Sequence, residues 1–273
     1  MMTPGLYVTH LVVPKRGLTG AECEDAVCVL PQVPFDELVS GPIAASVCDG
    51  ATESMLSKDW AAMLAAASAT RALSDPQFFG TGAAFEDFAA EVVARWNPWL
   101  AEYSSDRAAA GRPLAWYEQS KLAGSTFATL LCVLVTPERV AEWRWQAAAL
   151  GDTCLFHIRD ELPLNAFPVH TTEEFGTDPN LFGSRNHDTA LLWERTELTE
   201  GVCVPGDRLL LMSDALAAWF LAASDPTAAL HELLEFGGPH DSSRFSDWLD
   251  TRRDRQEVRN DDVALIRIDF EGR

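Results

Sequence analysis

Short apolar blocks open the chain, a helical rhythm follows, and short apolar blocks return before a last helical stretch. LYVTHLVV, AVCVL and IAASVC read as strands, broken by KRGLTG and by PQVPFDELVSGP. After Ser57 the spacing changes, because Trp60, Met63, Leu64 and Ala67 recur every three or four residues and predict a helix. Phe85, Phe88, Ala89, Val92, Val93 and Trp96 mark the buried face of a second helix, which Pro98 is expected to end or kink. Gly80-Thr81-Gly82 between them is a linker, since it lacks the full pattern of a nucleotide-binding glycine loop.

An amphipathic segment, LAWYEQSKLA, leads back to strands: STFATLLCVLV, VAEWRWQAAALGD and TCLFHIRD, whose short connections suggest a meander. Trp143, Trp145, Ala147 and Ala149 alternate with Glu142, Arg144 and Gln146, the period of a half-buried strand. LPLNAFPVHTTEEFGTDPNLFGSRNHD shows no period and predicts a long irregular surface connection. ALLWERTEL and RLLLM read as strands, the second running at Asp214 into a helix. Two more helices are expected over Pro226 to Phe236 and Ser243 to Arg255, and VALIRIDF closes the chain as a strand. With no repeat and no dividing linker, residues 1–273 are expected to form a single domain.

Composition narrows the function. The 273 residues are 47% hydrophobic, enough for a large core, and 41 acidic against 21 basic residues give a net charge of −20. Such a field repels nucleic acid and attracts metal cations or basic protein segments. No positive stretch precedes an apolar start and no apolar run approaches the ~18 residues of a membrane span, so a cytoplasmic protein with no membrane partner is expected. The six cysteines form no C-x-x-C pair and read as buried free thiols, with Cys23 and Cys48 standing beside acids of interest. The six histidines lie in dissimilar contexts and read as core or surface residues, and the tryptophans as core. Neither G-x-S-x-G, nor G-x-x-x-x-G-K-[ST], nor H-E-x-x-H occurs.

The acids are placed more tellingly. Asp49-Gly50 ends a strand, yet a helix and not a second strand follows, so it is no hairpin turn. Glu24-Asp25 opens AVCVL, Gly151-Asp152 lies between strands, Asp214 closes RLLLM and Asp261-Asp262 opens VALIRI. Each alone is an ordinary loop acid of an acidic protein. Gathered together they would repel one another, and a cation would have to neutralise them. Oxygen ligands without His or Cys select hard ions, Mg²⁺ or Mn²⁺.

In order, EDAVCVLP, VCDGATES, GSTFATLL, ALGDTCLFHIRD, DRLLLMSDAL and NDDVALIRI resemble the successive motifs of the metal-dependent protein phosphatases, the type 2C serine/threonine phosphatases, in a bacterial-type subgroup. The resemblance spans Glu24 to Ile268. It implies an α+β fold, a four-layer α-β-β-α sandwich of two antiparallel sheets flanked by helices, with a binuclear metal centre at one end. It implies Asp25 and Asp49 as metal ligands, Asp49 shared by two Mn²⁺ or Mg²⁺ ions, and the Gly50 carbonyl as a further ligand. Asp214 and Asp261 would hold the other ion, Asp152 with Asp214 a third and weaker one, and Glu24 would act through water. Gly124, Ser125 and Thr126 match a structural small-residue strand start.

The chain also departs from the family's pattern. Gly20 stands where a phosphate-binding Arg is usual, which leaves Arg16, or Lys15 of the same loop, as the expected substitute. Ala51 replaces a common His after Asp-Gly, so that water or Glu53 would donate the leaving-group proton. Ala215 replaces Gly and Ala264 replaces Ser or Thr. The expected function is hydrolysis of phosphate monoesters by a metal-activated water, on phosphoserine or phosphothreonine of a protein, with a cognate serine/threonine kinase or its target as partner. Two alternatives stay open: a catalytically weak or inactive phosphatase-like binding module, and a phosphatase of a small metabolite.

Overall fold

The computed structural model describes residues 4–32, 34, 36–176 and 179–272. In chain order the strands are β1 (Gly5–Val13), β2 (Ala26–Leu30), β3 (Ile43–Cys48), β4 (Phe127–Ala128), β5 (Leu130–Arg139), β6 (Glu142–Leu150), β7 (Cys154–Arg159), β8 (Leu162–Phe167), β9 (Phe182–Gly183), β10 (Glu197–Cys203), β11 (Arg208–Met212) and β12 (Val263–Glu271). The helices are α1 (Ser57–Ser74), α2 (Gly82–Ala109), α3 (Trp116–Leu122), α4 (Thr189–Glu194), α5 (Asp214–Ala222), α6 (Pro226–Leu234) and α7 (Ser242–Asp254). Two five-stranded antiparallel sheets, β1-β12-β11-β7-β8 and β10-β6-β5-β3-β2, stack face to face, and β4 pairs with β9 beside them.

Alternation along the strands builds the layers. All six residues of β3 are buried because both its faces are covered. Ile43, Ala45 and Val47 meet Leu209, Leu211, Ala264 and Ile266 of the opposite sheet, while Ala44 and Cys48 face Trp60, Ala61 and Leu64 of α1. Leu210, Met212 and Leu265 on the far side pack under Leu216, Leu230 and Phe245 of α5, α6 and α7. The sequence of layers is therefore helix, sheet, sheet, helix, as expected.

Five sequence expectations are corrected. α2 does not end at Pro98 but runs through it to Ala109; Trp96 and Trp99 stack at 4.8 Å and Trp99 and Tyr103 at 5.5 Å, so side-chain packing on one face carries the helix past the missing N–H. The meander is split, since β5 and β6 form a hairpin in one sheet but Gly151-Asp152 carries the chain across to β7 in the other. The irregular connection begins as edge strand β8, turned by Asp160 and Glu161, both at positive φ without a glycine, with Pro163 tolerated at the edge. Residues 190–198 divide into α4, capped by the Asp188 carboxylate accepting from the Leu191 N–H at 3.0 Å, and the start of β10. Val33 and Phe35 of the predicted break, and Thr177 and Asp178 of the predicted connection, lie outside the described residues. Trp116, at 81% exposed, is a surface residue and not core.

Trp60 couples α1 to the rest. Its ring meets Trp96 at 5.4 Å and Phe182 at 5.8 Å, and its Nε1–H donates to the Phe182 carbonyl at 2.8 Å. Trp60→Ala is expected to cost about 3–5 kcal/mol in urea unfolding, and Trp60→Phe clearly less; equal losses would mean that the hydrogen bond and not ring packing governs the site.

Candidate metal centre

In an antiparallel pair, the start of one strand lies beside the end of its neighbour. Ala26 pairs with Cys48, so Asp25 before β2 and Asp49 after β3 sit at one edge. Met212 pairs with both Cys154 and Leu265, which sets Asp214 after β11 near Asp152 before β7 and Asp261 before β12. Both sheets present these edges at the same end of the sandwich. Asp49, Gly50, Asp152, Asp214 and Asp261 line one cleft of about 700 Å³.

Local bonds hold the carboxylates there against their repulsion. The Asp49 N–H donates to Thr129 Oγ1 at 2.9 Å and its carbonyl accepts from the Thr129 N–H at 2.8 Å. The Gly50 N–H donates to the Glu24 carbonyl at 3.3 Å. At Gly50 a Cβ would lie 2.9 Å from the Ser57 carbonyl carbon and oxygen, so only glycine lets the first residue of α1 approach this closely. Gly151 has φ +110° and faces Thr129 Cγ2 at 2.7 Å from an added Cβ, which fixes the turn into Asp152.

Asp262 ties the far segment in. Its buried carboxylate accepts from the Lys15 N–H at 2.7 Å and the Glu24 N–H at 2.8 Å, binding residues 14–24 to the start of β12. Glu24 in turn accepts from Ser57 Oγ at 2.6 Å and from Lys15 Nζ at 3.3 Å. Sequence reasoning saw Asp262 only as a neighbour of Asp261; its role depends on a contact 238 residues away in the chain.

The electrostatics are those of a cation site. Oδ1 of Asp214 is buried without a hydrogen-bond partner, and both oxygens of Asp25 are buried with no hydrogen bond of good geometry, Ser213 standing close enough only to hold that carboxyl down in part. Burial pushes the Asp25 carboxyl well above the usual carboxylate range, with Asp262, Asp214 and Asp261 adding to it. Burial raises Asp49 likewise, aided by Asp25, Asp214, Asp261 and Asp152, and brings Asp152 to about 6. Orphaned, mutually repelling, all-oxygen donors fit a hard divalent cation and little else.

Arg16 is not where the sequence suggested. Its guanidinium pairs with Asp250 and Asp254 of α7 and donates to the Asp250 carbonyl at 2.7 Å, and it is absent from the cleft lining, because the KRGLTG loop is pinned from the α7 side. Lys15 is the loop's cation nearest the acids. Arg259, overlooked in the sequence, lines the cleft and pairs with Asp214. Ala51 and Glu53 also line it. Cys23 is buried and its thiol is pushed up to about 12, and Cys48 is pushed up by burial too, so neither is poised as a thiolate.

A second cluster among the described residues, His157, Cys203 and Asp207, has a different character. Its Asp207 accepts from Arg159 Nη2 at 2.6 Å, from His157 Nε2 at 3.1 Å and from the Val204 N–H at 2.9 Å. Every ligand atom there already has a partner, so it reads as a satisfied buried network.

No known protein-family model matches the chain, and no curated protein matches it in sequence. Solved structures do match in fold. The serine/threonine phosphatase PstP/Ppp of Mycobacterium tuberculosis superposes with a TM-score of 0.57 at 17% identity, over 98% of this chain and 100% of that one. The catalytic domain of PstP in complex with two manganese ions gives 0.52 at 18%, over 98% and 100%. RsbX in complex with magnesium gives 0.52 at 11%, over 99% and 98%. The chain therefore has the fold of the PP2C-type phosphatase domains, and two of these neighbours hold Mn²⁺ or Mg²⁺.

In chelator, Asp25→Asn is expected to raise unfolding stability by at least about 1 kcal/mol, since it removes a buried unpartnered charge. In Mn²⁺ the same variant should lose most of the stabilisation that the ion gives the wild type. Denaturant curves with and without Mn²⁺ check this; if Asp25→Asn destabilised the protein in chelator, Asp25 would be held by bonds rather than by a cation.

Proposed function

We propose that this chain is a bacterial-type member of the metal-dependent protein phosphatases and hydrolyses phosphate monoesters, with phosphoserine or phosphothreonine of a protein as substrate. The observation that carries the reading is the gathering of Asp49, Asp152, Asp214 and Asp261 in one cleft, with the buried Asp25 beside Asp49 at the same sheet end and Oδ1 of Asp214 buried and unpartnered. Asp25, Asp49 and the Gly50 carbonyl would hold one Mn²⁺ or Mg²⁺, Asp49, Asp214 and Asp261 a second, and Asp152 with Asp214 a third. When bound, such ions supply water activation and neutralisation of charge on the phosphoryl oxygens.

The protein's own groups do the rest. Asp49, clamped through both its N–H and its carbonyl to Thr129, keeps its carboxylate between the two halves of the site. Glu24, fixed by Ser57 and Lys15, orients water at the edge of the cleft. Ala51 offers the leaving oxygen no proton, and water or the cleft residue Glu53 would supply it. The cleft is open and partly lined by Met55, Phe127 and Leu181, a surface that admits a side chain projecting from a larger partner. A serine/threonine kinase, or its target, is the matching partner.

The test is turnover of para-nitrophenyl phosphate and of a phosphothreonine peptide. Activity is expected with Mn²⁺ or Mg²⁺ and none in chelator; hydrolysis that survives chelator would contradict the centre. Asp49→Asn is expected to cut kcat at least about a hundredfold and to weaken Mn²⁺ binding in calorimetry, with circular dichroism unchanged. Wild-type metal binding without any turnover would point instead to a binding module built on the same fold.

A further inference from the structure

We infer that Arg259 is the residue that binds the substrate's phosphoryl oxygens, a step that rests on the phosphatase reading and names the group that completes it. A phosphate dianion entering a chain of net charge −20 needs a local cation with donors to spare. Four basic side chains lie near enough to consider. Arg16 is taken up by Asp250 and Asp254 on the α7 side. Lys15 Nζ is engaged by Glu24 at 3.3 Å and Thr52 at 3.4 Å. Lys121 stands exposed on the seven-residue α3 and presents a point charge.

Arg259 differs from all three. Its guanidinium sits in the wall of the cleft with Asp49, Asp152, Asp214 and Asp261, and it is 57% exposed. Its single hydrogen bond among the described residues runs from Nη2 to Asp214 Oδ2. Asp214 is thus used from two sides: Oδ1 is buried and unpartnered toward the acids, while Oδ2 anchors the arginine. One arm of the fork is fixed and the other donors remain open to the cleft. An arginine anchored by one carboxylate loses less freedom when it takes up an oxyanion, and its planar fork matches two phosphoryl oxygens at once.

The placement also follows from the fold. Arg259 precedes the Asn260-Asp261-Asp262 turn, in which Asn260 Oδ1 accepts from the Arg16 N–H at 2.7 Å and Asp262 holds Lys15 and Glu24. The backbone that positions Asp261 therefore positions Arg259 as well. With Gly20 carrying no charge, the cation comes from the turn that binds this loop through Asn260 and Asp262, and the guanidinium is a binding and positioning group rather than an acid or base.

The experiment is calorimetric binding of inorganic phosphate to Mn²⁺-loaded wild type, Arg259→Ala, Arg259→Lys and Arg16→Ala, with Mn²⁺ isotherms for each. Arg259→Ala is expected to weaken phosphate binding about tenfold or more while keeping its Mn²⁺ isotherm. Arg259→Lys should recover part of the loss, and Arg16→Ala should match wild type. Unchanged phosphate affinity in Arg259→Ala overturns the assignment, and so does a loss traced wholly to weaker Mn²⁺ binding, which would make Arg259 a support for Asp214 alone. Because the readout is equilibrium binding, the arginine can pass when para-nitrophenyl phosphate turnover fails, and fail when turnover succeeds, so the two readings are separable.

Discussion

Repulsion among carboxylates at one end of the sandwich is the constraint on which the rest of the structure depends. Asp25, Asp49, Asp152 and Asp261 are each raised above the ordinary carboxylate range, chiefly by burial and then by neighbouring carboxylates, Asp214 among them in every case. A fold does not gather such groups for stability, since an isolated buried charge is among the most costly features a core can carry. The cost is tolerable only where a cation completes the set. The arrangement is thus destabilised in itself and suited to binding.

Holding it together falls to groups that carry no catalytic chemistry. The three apolar layers give rigid sheets whose ends coincide, and antiparallel pairing converts that coincidence into a ring of acids. Thr129, Gly151 and Asp262 then fix the loop backbones, by hydrogen bonds or by leaving no room for a Cβ. Lys15, paired with Glu24, and Arg259, paired with Asp214, offset part of the negative charge. The same cleft that concentrates charge stays open, as the proposed phosphoprotein substrate requires.

Much of this was legible in the sequence because it is local. Strand and helix periods marked β2, β3, β11, β12 and the start of α1 almost to the residue, and the acids at strand ends marked the end of the sandwich where they gather. What escaped depends on contacts distant in sequence or on turn chemistry without the usual signals. Asp160-Glu161 turns a hairpin without glycine, Asp188 caps a helix inside an apparent strand, and stacked Trp96, Trp99 and Tyr103 carry α2 past Pro98. Arg16 stood near a ligand motif in sequence and Arg259 was overlooked; that Arg16 is claimed by the α7 carboxylates depends on a contact more than 230 residues away.

The central claim is that these acids form one site for hard divalent ions, and anomalous X-ray scattering from crystals grown in Mn²⁺ tests it most directly. Two strong manganese peaks are expected, both touching Asp49, one also touching Asp25 and the other Asp214 and Asp261. No peak among these acids, or a peak instead at His157, Cys203 and Asp207, would contradict the account.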